Sequence, residues 1–524
     1  MSLEVVERPA DVAPLAEDDG SVPASGVASR PRAVAASSWL LERGRPAELV
    51  AIGVALALAT GGMGALKAKM AFALVGAVAV VLAICLRPVI GGYLLVAVVP
   101  AISGLAPGLP VQHVRLSELF IGLVSLTLFV TTRRKDRLRF DALDWLLLVY
   151  GLCWTAFAIY DASALHEPMS LSLWGTSIGQ LQFFLMYRAI RMSVRTLAER
   201  KRAVVAAFGG AVAVSLIALA QAARLPGIEH FIVKMTAGVP EFSAGLLRAT
   251  GPFDNWAALA GYLFPLVLLM VAFGLGKVKL WKGRRAVVVT AIITLGLLTT
   301  VELSAILSLL ASIIWLGVRY GRTSRVLKWL GTGLLLAAVT AGPLVSSRIQ
   351  SELTKTAGIA RGSVVPQTIS YRMHIWTGQY FPAIAERPFE GYGVVLPPTI
   401  AWPYPESQYV GLLIEGGIPT LVSFVVLAGA MIDRCRKGGR SRDPFEAALC
   451  RSLAMVGVAL FAMDSIWPYF SNGGLPQILW ALLAVAAPAW ADTGLAKREL
   501  VGPPEQWRMA LPSVSSGPLS MEEV

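Results

Sequence analysis

The stretch DNWAALAGYLFPLVLLMVAFGL, residues 254–275, has one charged residue, Asp254, and that residue stands at its first position. An apolar run of about 20 residues is long enough to cross the hydrocarbon core of a bilayer as a helix. Lipid offers the backbone no hydrogen-bond partners, so a continuous apolar run there has to be helical. The stretch therefore predicts a membrane-spanning helix.

Similar runs recur along the whole chain. Of its 524 residues 56% are hydrophobic and 15% are charged, and the mean hydropathy is +0.65, which lies outside the range of soluble domains. The sequence predicts an all-α fold, a polytopic transmembrane helix bundle of about 14 spans. The predicted runs are approximately 49–66, 70–86, 88–105, 116–132, 142–160, 173–190, 203–222, 254–275, 285–301, 303–318, 327–345, 409–433, 446–470 and 474–491.

Lysine and arginine cluster in alternate loops, and this pattern predicts the orientation. The positive-inside rule makes these loops cytoplasmic and places both termini on the same side. The formal net charge of +13 is then explained by topology and by anionic lipid, so nucleic acid is not expected as a partner. The basic loops are residues 133–139, 191–202, 277–285, 319–328 and 433–442.

The same reading divides the chain into five regions. We expect a disordered cytoplasmic tail over 1–46, spans over 47–345 and 409–491, and a second cytoplasmic tail over 492–524. The polar N-terminal segment has no apolar core followed by a cleavage site, so no signal peptide is predicted. Between the two sets of spans lies a long extracytoplasmic loop, residues 346–408, with short amphipathic helices. Long loops of this kind usually carry function.

Motifs for common cofactors are missing from the sequence. The four cysteines contain no CxxC pair, and the four histidines show no HxH or HxxxH spacing, so neither a disulfide nor a metal site is predicted. No phosphate-binding glycine loop, GxGxxG after a strand or GxSxG elbow is present. We therefore predict that the chain uses no cofactor.

Two outward arginines stand beside polar residues at predicted helix boundaries. Arg248 precedes Asp254 and Asn255 at the start of a span, where capping of the helix and sugar binding are both open. Arg372 and Trp376 lie four residues apart, which places them on one face of a helix that we expect Pro382 to end. Either arginine could instead extend to a lipid phosphate.

Three motifs in this part of the chain resemble the O-antigen ligase and O-antigen polymerase superfamily. RATGPFDNWAALAGYL, residues 248–263, is similar to that family's Arg-x-x-Gly-Phe-x-Asn segment. YRMHIWTGQYFPAIAERPFEGYGVV, residues 371–395, resembles its Arg-x-x-x-Trp followed by Pro-Leu-x-Gly-x-Gly. ESQYVGLLIEGGIPTLVSFVVL, residues 406–427, resembles its His-Asn-x-Tyr-Leu segment, and the whole resemblance covers roughly 240–435.

The resemblance implies a glycosyltransferase in the bacterial cytoplasmic membrane. Its donor would be a saccharide on undecaprenyl diphosphate, used at the outer face, and its acceptor a glycan; membrane lipids and other polysaccharide-assembly proteins are further expected partners. The leaving diphosphate is anionic, and a guanidinium binds phosphate through two parallel hydrogen bonds, so Arg248 and Arg372 are the predicted diphosphate ligands. The transfer would be metal-independent and inverting.

Glu406 occupies the position of the family's histidine and is the predicted general base. A carboxylate can accept the proton of an attacking hydroxyl, and we expect an aromatic rim of Trp402, Tyr404 and Tyr409 to raise the pKa of Glu406. The arginine of a Ser-Arg pair found in the family is absent beside Glu302. Because both ligase features are missing, polymerisation is slightly favoured over ligation.

The remaining candidates carry open alternatives. Glu302 is either a satisfied helix end or a substrate contact. Asp464 either lines the acceptor site or belongs to an aromatic belt, and His374 is expected to face away from the Arg372 side of its helix. A polysaccharide or lipid transporter and an inactive envelope-assembly scaffold are the rival functions.

Overall fold

A computed structural model describes residues 68–106, 115–132, 140–164, 166, 170–236, 241–243, 246–281, 283–331 and 367–490. The chain divides into two compact units, residues 1–57 and 58–524, and every described residue belongs to the second. The predicted tails 1–46 and 492–524, the span 49–66, most of the span 327–345 and residues 346–366 of the long loop lie outside the described residues.

The described chain is almost entirely helical. A two-stranded antiparallel hairpin, in which Glu241 pairs with Arg248, is the exception to the predicted all-α class within these residues. The elements before residue 250 are α1 (Ala68–Leu86), α2 (Pro88–Ile102), α3 (Leu116–Thr131), α4 (Ala142–Ala164), α5 (Leu171–Ile178), α6 (Leu181–Ser193), α7 (Leu197–Ala222), α8 (Ile228–Thr236), β1 (Glu241–Ser243) and β2 (Leu246–Arg248).

The second half of the described chain contains the remaining helices. They are α9 (Trp256–Leu275), α10 (Arg284–Leu298), α11 (Leu303–Arg319), α12 (323–331), α13 (Gln367–Ile375), a π-helix (Trp376–Tyr380), α14 (Phe381–Glu386), α15 (Gln408–Gly438), α16 (Pro444–Met463), a 3-10 turn (Tyr469–Ser471) and α17 (Leu475–Ala486).

Five of these helices, α4, α7, α9, α15 and α16, are long and apolar enough to cross a membrane. Others, including α2, α3, α11 and α17, are apolar but shorter than 18 residues. The structure therefore confirms a helical protein with several candidate spans in the described residues. The predicted count of about 14 is not confirmed.

Helix α9, which contains the opening stretch, lies at the centre of the bundle. It is apolar on all faces. In an apolar 18-residue segment of α9, 89% of the residues are buried, compared with 44% in α4 and in α7. A helix that is hydrophobic all round is suited to burial among other helices. Asn255 caps its first turn by accepting a hydrogen bond from the N–H of Ala258 at 2.8 Å. This fixes the end of α9 that lies beside Arg248.

Three predicted boundaries are wrong. The run 173–190 forms two helices, α5 and α6, that are separated at Gly179–Gln180. The run 446–470 stops being helical at Met463, where a turn over residues 464–466 follows, and Pro468 disfavours helical backbone at Trp467, so the helix does not reach residue 470. Pro382 does not end the helix of Arg372. A π-helical turn precedes it, where the bonding ladder is already shifted, and helical structure continues to Glu386.

Helix α15 is broken in its first third. Gly416 and Gly417 leave helical backbone there, and Gly417 has a φ of 62°. Such a break removes partners from nearby backbone groups. The loop over residues 388–393 supplies new ones. The three bonds are Tyr392 N to Ile414 O at 2.7 Å, Gly393 N to Glu415 O at 2.8 Å and Ile418 N to Pro388 O at 2.8 Å.

The 388–393 loop needs glycine to reach the broken helix. A Cβ at Gly391 would lie 2.8 Å from the carbonyl oxygen of Ile414, and one at Gly417 would lie 2.3 Å from that of Phe389. Both residues also have a left-handed φ, which side chains rarely adopt. The PFEGYG and EGG segments of the sequence therefore form one joint. It fixes the end of α15 that follows Glu406.

Candidate active site

Arg248 ends the hairpin and makes an ion pair with Glu302 at the start of α11. Its Nη2 lies 2.5 Å from Glu302 Oε2, and its Nε donates to the carbonyl of Thr300 at 3.2 Å. The guanidinium lies over the ring of Trp256, 3.8 Å from the centroid, and Trp256 Nε1 also donates to Glu302 at 2.8 Å. Cation, ring and carboxylate thus hold one another in place.

The second oxygen of Glu302 is also occupied. Ser304 Oγ donates to Glu302 Oε1 at 2.6 Å, and the hydroxyl of Tyr469 approaches the same oxygen at 3.4 Å. The preceding residue, Val301, has a φ of 51°, an uncommon conformation for a β-branched side chain. Strain of this kind persists only where the surroundings hold it, so the position of Glu302 is closely determined.

Arg372 on α13 makes the second ion pair, with Glu406. The distance from Arg372 Nη2 to Glu406 Oε2 is 3.3 Å, and the two side chains are 17% and 11% exposed. Arg372 Nε is buried and has no hydrogen-bond partner among the described residues. A guanidinium offers five donors, so this arginine retains capacity for an anionic ligand.

The π-helical turn holds the segment that leads to Glu406. Trp376 Nε1 donates to the carbonyl of Pro405 at 2.6 Å, and the hydroxyl of Tyr380 donates to that of Trp402 at 2.8 Å. The N–H of Trp402 donates to Gln379 Oε1 at 3.1 Å. π-Helical turns occur frequently at functional sites. Here the turn presents three side chains to one short loop.

Glu406 combines a strained backbone with a perturbed carboxyl group. Its φ is 55°, in the left-handed region, and the residue is 9% exposed. Burial raises the pKa of Glu406 above the ordinary glutamate value, although the charge of Arg372 and hydrogen bonds from Arg372 and Trp402 partly oppose the rise. A raised pKa makes a carboxylate a stronger base.

The turn over residues 464–472 contacts both ion-pair regions. On one side, Asn472 Oδ1 accepts from Asn255 at 2.9 Å, and Tyr469 contacts Ser304 Oγ at 2.7 Å. On the other side, the turn contacts the two residues that follow Glu406. Those bonds are Gln408 N to Asp464 O at 2.8 Å, Ser407 Oγ to Asp464 O at 3.2 Å and Ser471 N to Gln408 Oε1 at 3.1 Å.

The other sequence-predicted residues are distributed around this framework. Trp402 and Tyr404 are exposed, with ring centroids 5.7 Å apart. Tyr409 donates its hydroxyl to the carbonyl of Phe461 at 2.6 Å, and its ring lies against that of Phe461. Tyr409 therefore packs on α16. His374 is exposed and lies two positions along from Arg372.

Of two further acidic candidates, Asp254 is half-buried and Asp464 is buried. Burial raises the pKa of Asp254, with the charge of Arg115 in partial opposition, and Asp254 Oδ1 accepts a hydrogen bond from Asn255 at 3.1 Å. Burial also raises the pKa of Asp464, which is 1% exposed and caps the end of α16. The backbone carbonyl of Asp464 accepts hydrogen bonds from Ser407 and Gln408, the two residues that follow Glu406.

A third arginine, Arg387, was missed by the sequence reasoning. Its Nη1 lies 3.5 Å from Oδ1 of Asp161 at the end of α4, and its guanidinium lies over the ring of Tyr392 at 5.3 Å. Both contacts fix the 388–393 loop. The position of Arg387, directly before the PFEGYG segment, was the available signal, while Asp161 lies inside an apolar helix with no motif around it.

No group of three histidine, cysteine or acidic side chains that could hold a metal ion occurs in the described part of the chain. What the arrangement offers instead is two arginines with glutamate partners. Such groups can bind an anion and transfer a proton.

Part of the chain matches a known protein family. Residues 286–425 match the family model described as O-antigen ligase. This region includes Glu302, Arg372 and Glu406, and Arg248 lies before it. No curated protein matches the chain. Over residues 286–425 the family match supports the resemblance drawn from the motifs.

Proposed function

We propose that the protein is a bacterial membrane glycosyltransferase that moves a saccharide from undecaprenyl diphosphate to a glycan acceptor at the outer face of the cytoplasmic membrane. The family match supports an O-antigen ligase or polymerase type of function. The observation that carries the finer proposal is the Arg372–Glu406 pair, in which a cation with a spare buried donor lies beside a carboxylate of raised pKa.

The pair suggests how binding of the lipid-linked saccharide prepares Glu406 to act as a base. A diphosphate oxygen that accepts from Arg372 Nε and Nη2 competes with Glu406 for the guanidinium. Once Arg372 is engaged by phosphate, Glu406 loses the neighbouring charge that opposes its raised pKa. The carboxylate becomes more basic when the donor is in place.

In the transfer step, the acceptor hydroxyl oxygen attacks the anomeric carbon as its proton passes to Glu406. The bond from the anomeric carbon to the phosphate oxygen breaks, and the electron pair leaves with the lipid diphosphate. Arg372 and Arg248 stabilise the charge that develops on the phosphate oxygens. Attack opposite the leaving group inverts the anomeric configuration.

Arg248 requires a change in its contacts to take part. Its guanidinium is now shared between Glu302, the Thr300 carbonyl and the Trp256 ring. A bound diphosphate would compete with Glu302 as it does with Glu406. The 464–472 turn, which contacts both regions, would keep the two arginines in a fixed relation while they bind one ligand.

Polymerisation is slightly favoured over ligation. The family's ligase-associated histidine position is occupied by Glu406, and no arginine stands at the helix end beside Glu302. Exposed Trp402 and Tyr404, which offer ring faces for sugar stacking, suit a glycan acceptor.

The test uses the purified full chain reconstituted in liposomes with an undecaprenyl-diphosphate oligosaccharide. The proposal expects longer lipid-linked glycan and one released undecaprenyl diphosphate for each unit added. Addition of a separate lipid or cell-wall acceptor, with transfer to that acceptor and no chain extension, would identify a ligase. Movement of the intact lipid-linked oligosaccharide across the liposome membrane, with no release of undecaprenyl diphosphate, would contradict the proposal and favour a transporter.

A further inference from the structure

A second site lies at the end of the bundle opposite the Arg248–Glu302 pair. Helices α9 to α12 enclose a groove of about 610 Å³ there, within the range of about 300–1,000 Å³ that is common for ligand pockets. Its lining is apolar apart from two threonines on α10. The lining includes Phe273, Trp281, Ala291, Ile313, Val326 and Trp329.

The loops at the mouth of this groove are strongly basic. Exposed Lys277, Lys279, Arg284, Arg285 and Arg325 lie on the loop after α9, the first turn of α10 and α12. The one acidic residue between positions 274 and 331 is Glu302, which is at the far end of α10 and α11 and paired with Arg248. The positive charge at the mouth therefore has no counterion within this segment.

Arg322 and Glu446, near the same end, are already engaged. Arg322 donates to the carbonyl of Leu275 at the end of α9, and Glu446 is paired with Arg200 at 2.6 Å. The five exposed cations have no hydrogen-bond partner among the described residues, and the apolar groove opens beside them. A ligand that complements both features has an anionic head and a hydrocarbon chain.

We propose that this groove binds one acidic phospholipid, with an acyl chain along α10 and its phosphate at the Lys277–Arg285 loop. Basic pockets between transmembrane helices bind anionic headgroups, and tryptophans such as Trp281 are enriched at headgroup depth. The loop is also one of those predicted to be cytoplasmic, where acidic lipid is enriched. This lipid is separate from the glycosyl donor, because the two arginines of the candidate active site lie at the opposite end of α10 and α11.

Native mass spectrometry of the full chain tests the proposal. The delipidated protein is given phosphatidylglycerol and phosphatidylcholine at equal concentration, and the retained lipid is counted. We expect one phosphatidylglycerol per chain. Arg284→Gln/Arg285→Gln should weaken retention roughly tenfold or more, since each cation near a membrane surface contributes several-fold. Ala291→Trp, which fills the groove, should abolish it.

Matched variants separate specific binding from general attraction. Arg436→Gln/Arg440→Gln removes two exposed arginines, one in the last turn of α15 and one just after it, neither of which lines the groove, and should retain the lipid fully. Ala291→Leu is a milder filling variant in case the tryptophan impairs folding, which size-exclusion chromatography detects. Equal loss in both arginine variants, equal retention of phosphatidylcholine, or retention that is unaffected by a folded Ala291 variant would each overturn the proposal.

Discussion

Each arginine of the candidate site is held by a glutamate from another part of the chain. Arg248 and Glu302 are 54 residues apart, and Arg372 and Glu406 are 34 apart. A buried ion pair stabilises a protein weakly in net terms, because desolvation offsets the attraction, whereas the loss of one partner leaves an unpaired charge. These pairs are therefore better explained by positioning than by stability.

Removal of either guanidinium should affect turnover far more than folding. We expect Arg248→Ala and Arg372→Ala each to lower turnover about a hundredfold or more, the scale for loss of a preorganised charge stabiliser. Lysine should rescue poorly, since it cannot form two parallel hydrogen bonds to phosphate. His374→Ala is the matched control, because His374 is exposed on the same helix as Arg372. Turnover near the parent value in both arginine variants would exclude the diphosphate role.

The raised pKa of Glu406 predicts the acidic limb of the pH profile. A general base acts when it is deprotonated, so kcat/KM should fall as the pH drops through the pKa of Glu406, above the usual value of about 4.3. Arg372→Gln removes the neighbouring charge that lowers this pKa, so the limb should move to higher pH. A limb that stays in place or moves to lower pH would contradict the assignment of the limb to Glu406.

Substitution of Glu406 itself separates a base from a structural residue. Glu406→Gln should lower turnover roughly 10² to 10⁴-fold with donor binding little changed. Glu406→His should retain measurable activity with an acidic limb near about 6.5, and histidine is among the side chains that tolerate a left-handed φ. Full activity in the glutamine variant would remove Glu406 from the mechanism.

At the scale of elements, the joint between the 388–393 loop and the broken α15 can be tested by glycine substitution. Gly417→Ala should destabilise the protein by about 2 kcal/mol or more, because φ is 62° and the new Cβ would meet Phe389 O at 2.3 Å. Gly429→Ala, in an open position of the same helix, should instead be neutral or stabilise by about 0.5–1 kcal/mol. Chemical denaturation in detergent measures both. Equal effects would show that the break is not held by this joint.

Hydrophobic runs predicted α9, α10 and α11 within a few residues. They could not predict interruptions that depend on distant partners. The break at Gly416–Gly417 is stable because residues 388–393 supply its hydrogen bonds. No pattern in the sequence around Gly416 predicts that these two segments contact each other. For the same reason the motifs identified Arg372 and Glu406 individually, while their ion pair and the missed Arg387–Asp161 pair emerged from the fold.

For the whole molecule, the two sites define two chemically different ends. One end carries the Arg–Glu pairs and exposed aromatic rings, and the other carries an apolar groove beside a cluster of cations that have no partner in the part of the chain that the structure describes. An enzyme that takes a lipid-linked donor at the outer face requires the first end to face outward. Orientation is therefore the property on which the proposed function and the lipid site jointly depend.

Cysteine labelling in intact cells tests this orientation. The four native cysteines, of which Cys435 and Cys450 are buried, are first replaced by alanine. An impermeant maleimide should then label exposed His374→Cys and Leu225→Cys from outside, whereas exposed Lys279→Cys and Arg436→Cys should react only after the membrane is opened. This pattern is expected because loops rich in lysine and arginine remain in the cytoplasm, since moving several positive charges across the bilayer is costly. The reverse pattern would place Arg248 and Arg372 on the cytoplasmic side, where a donor displayed at the outer face could not reach them.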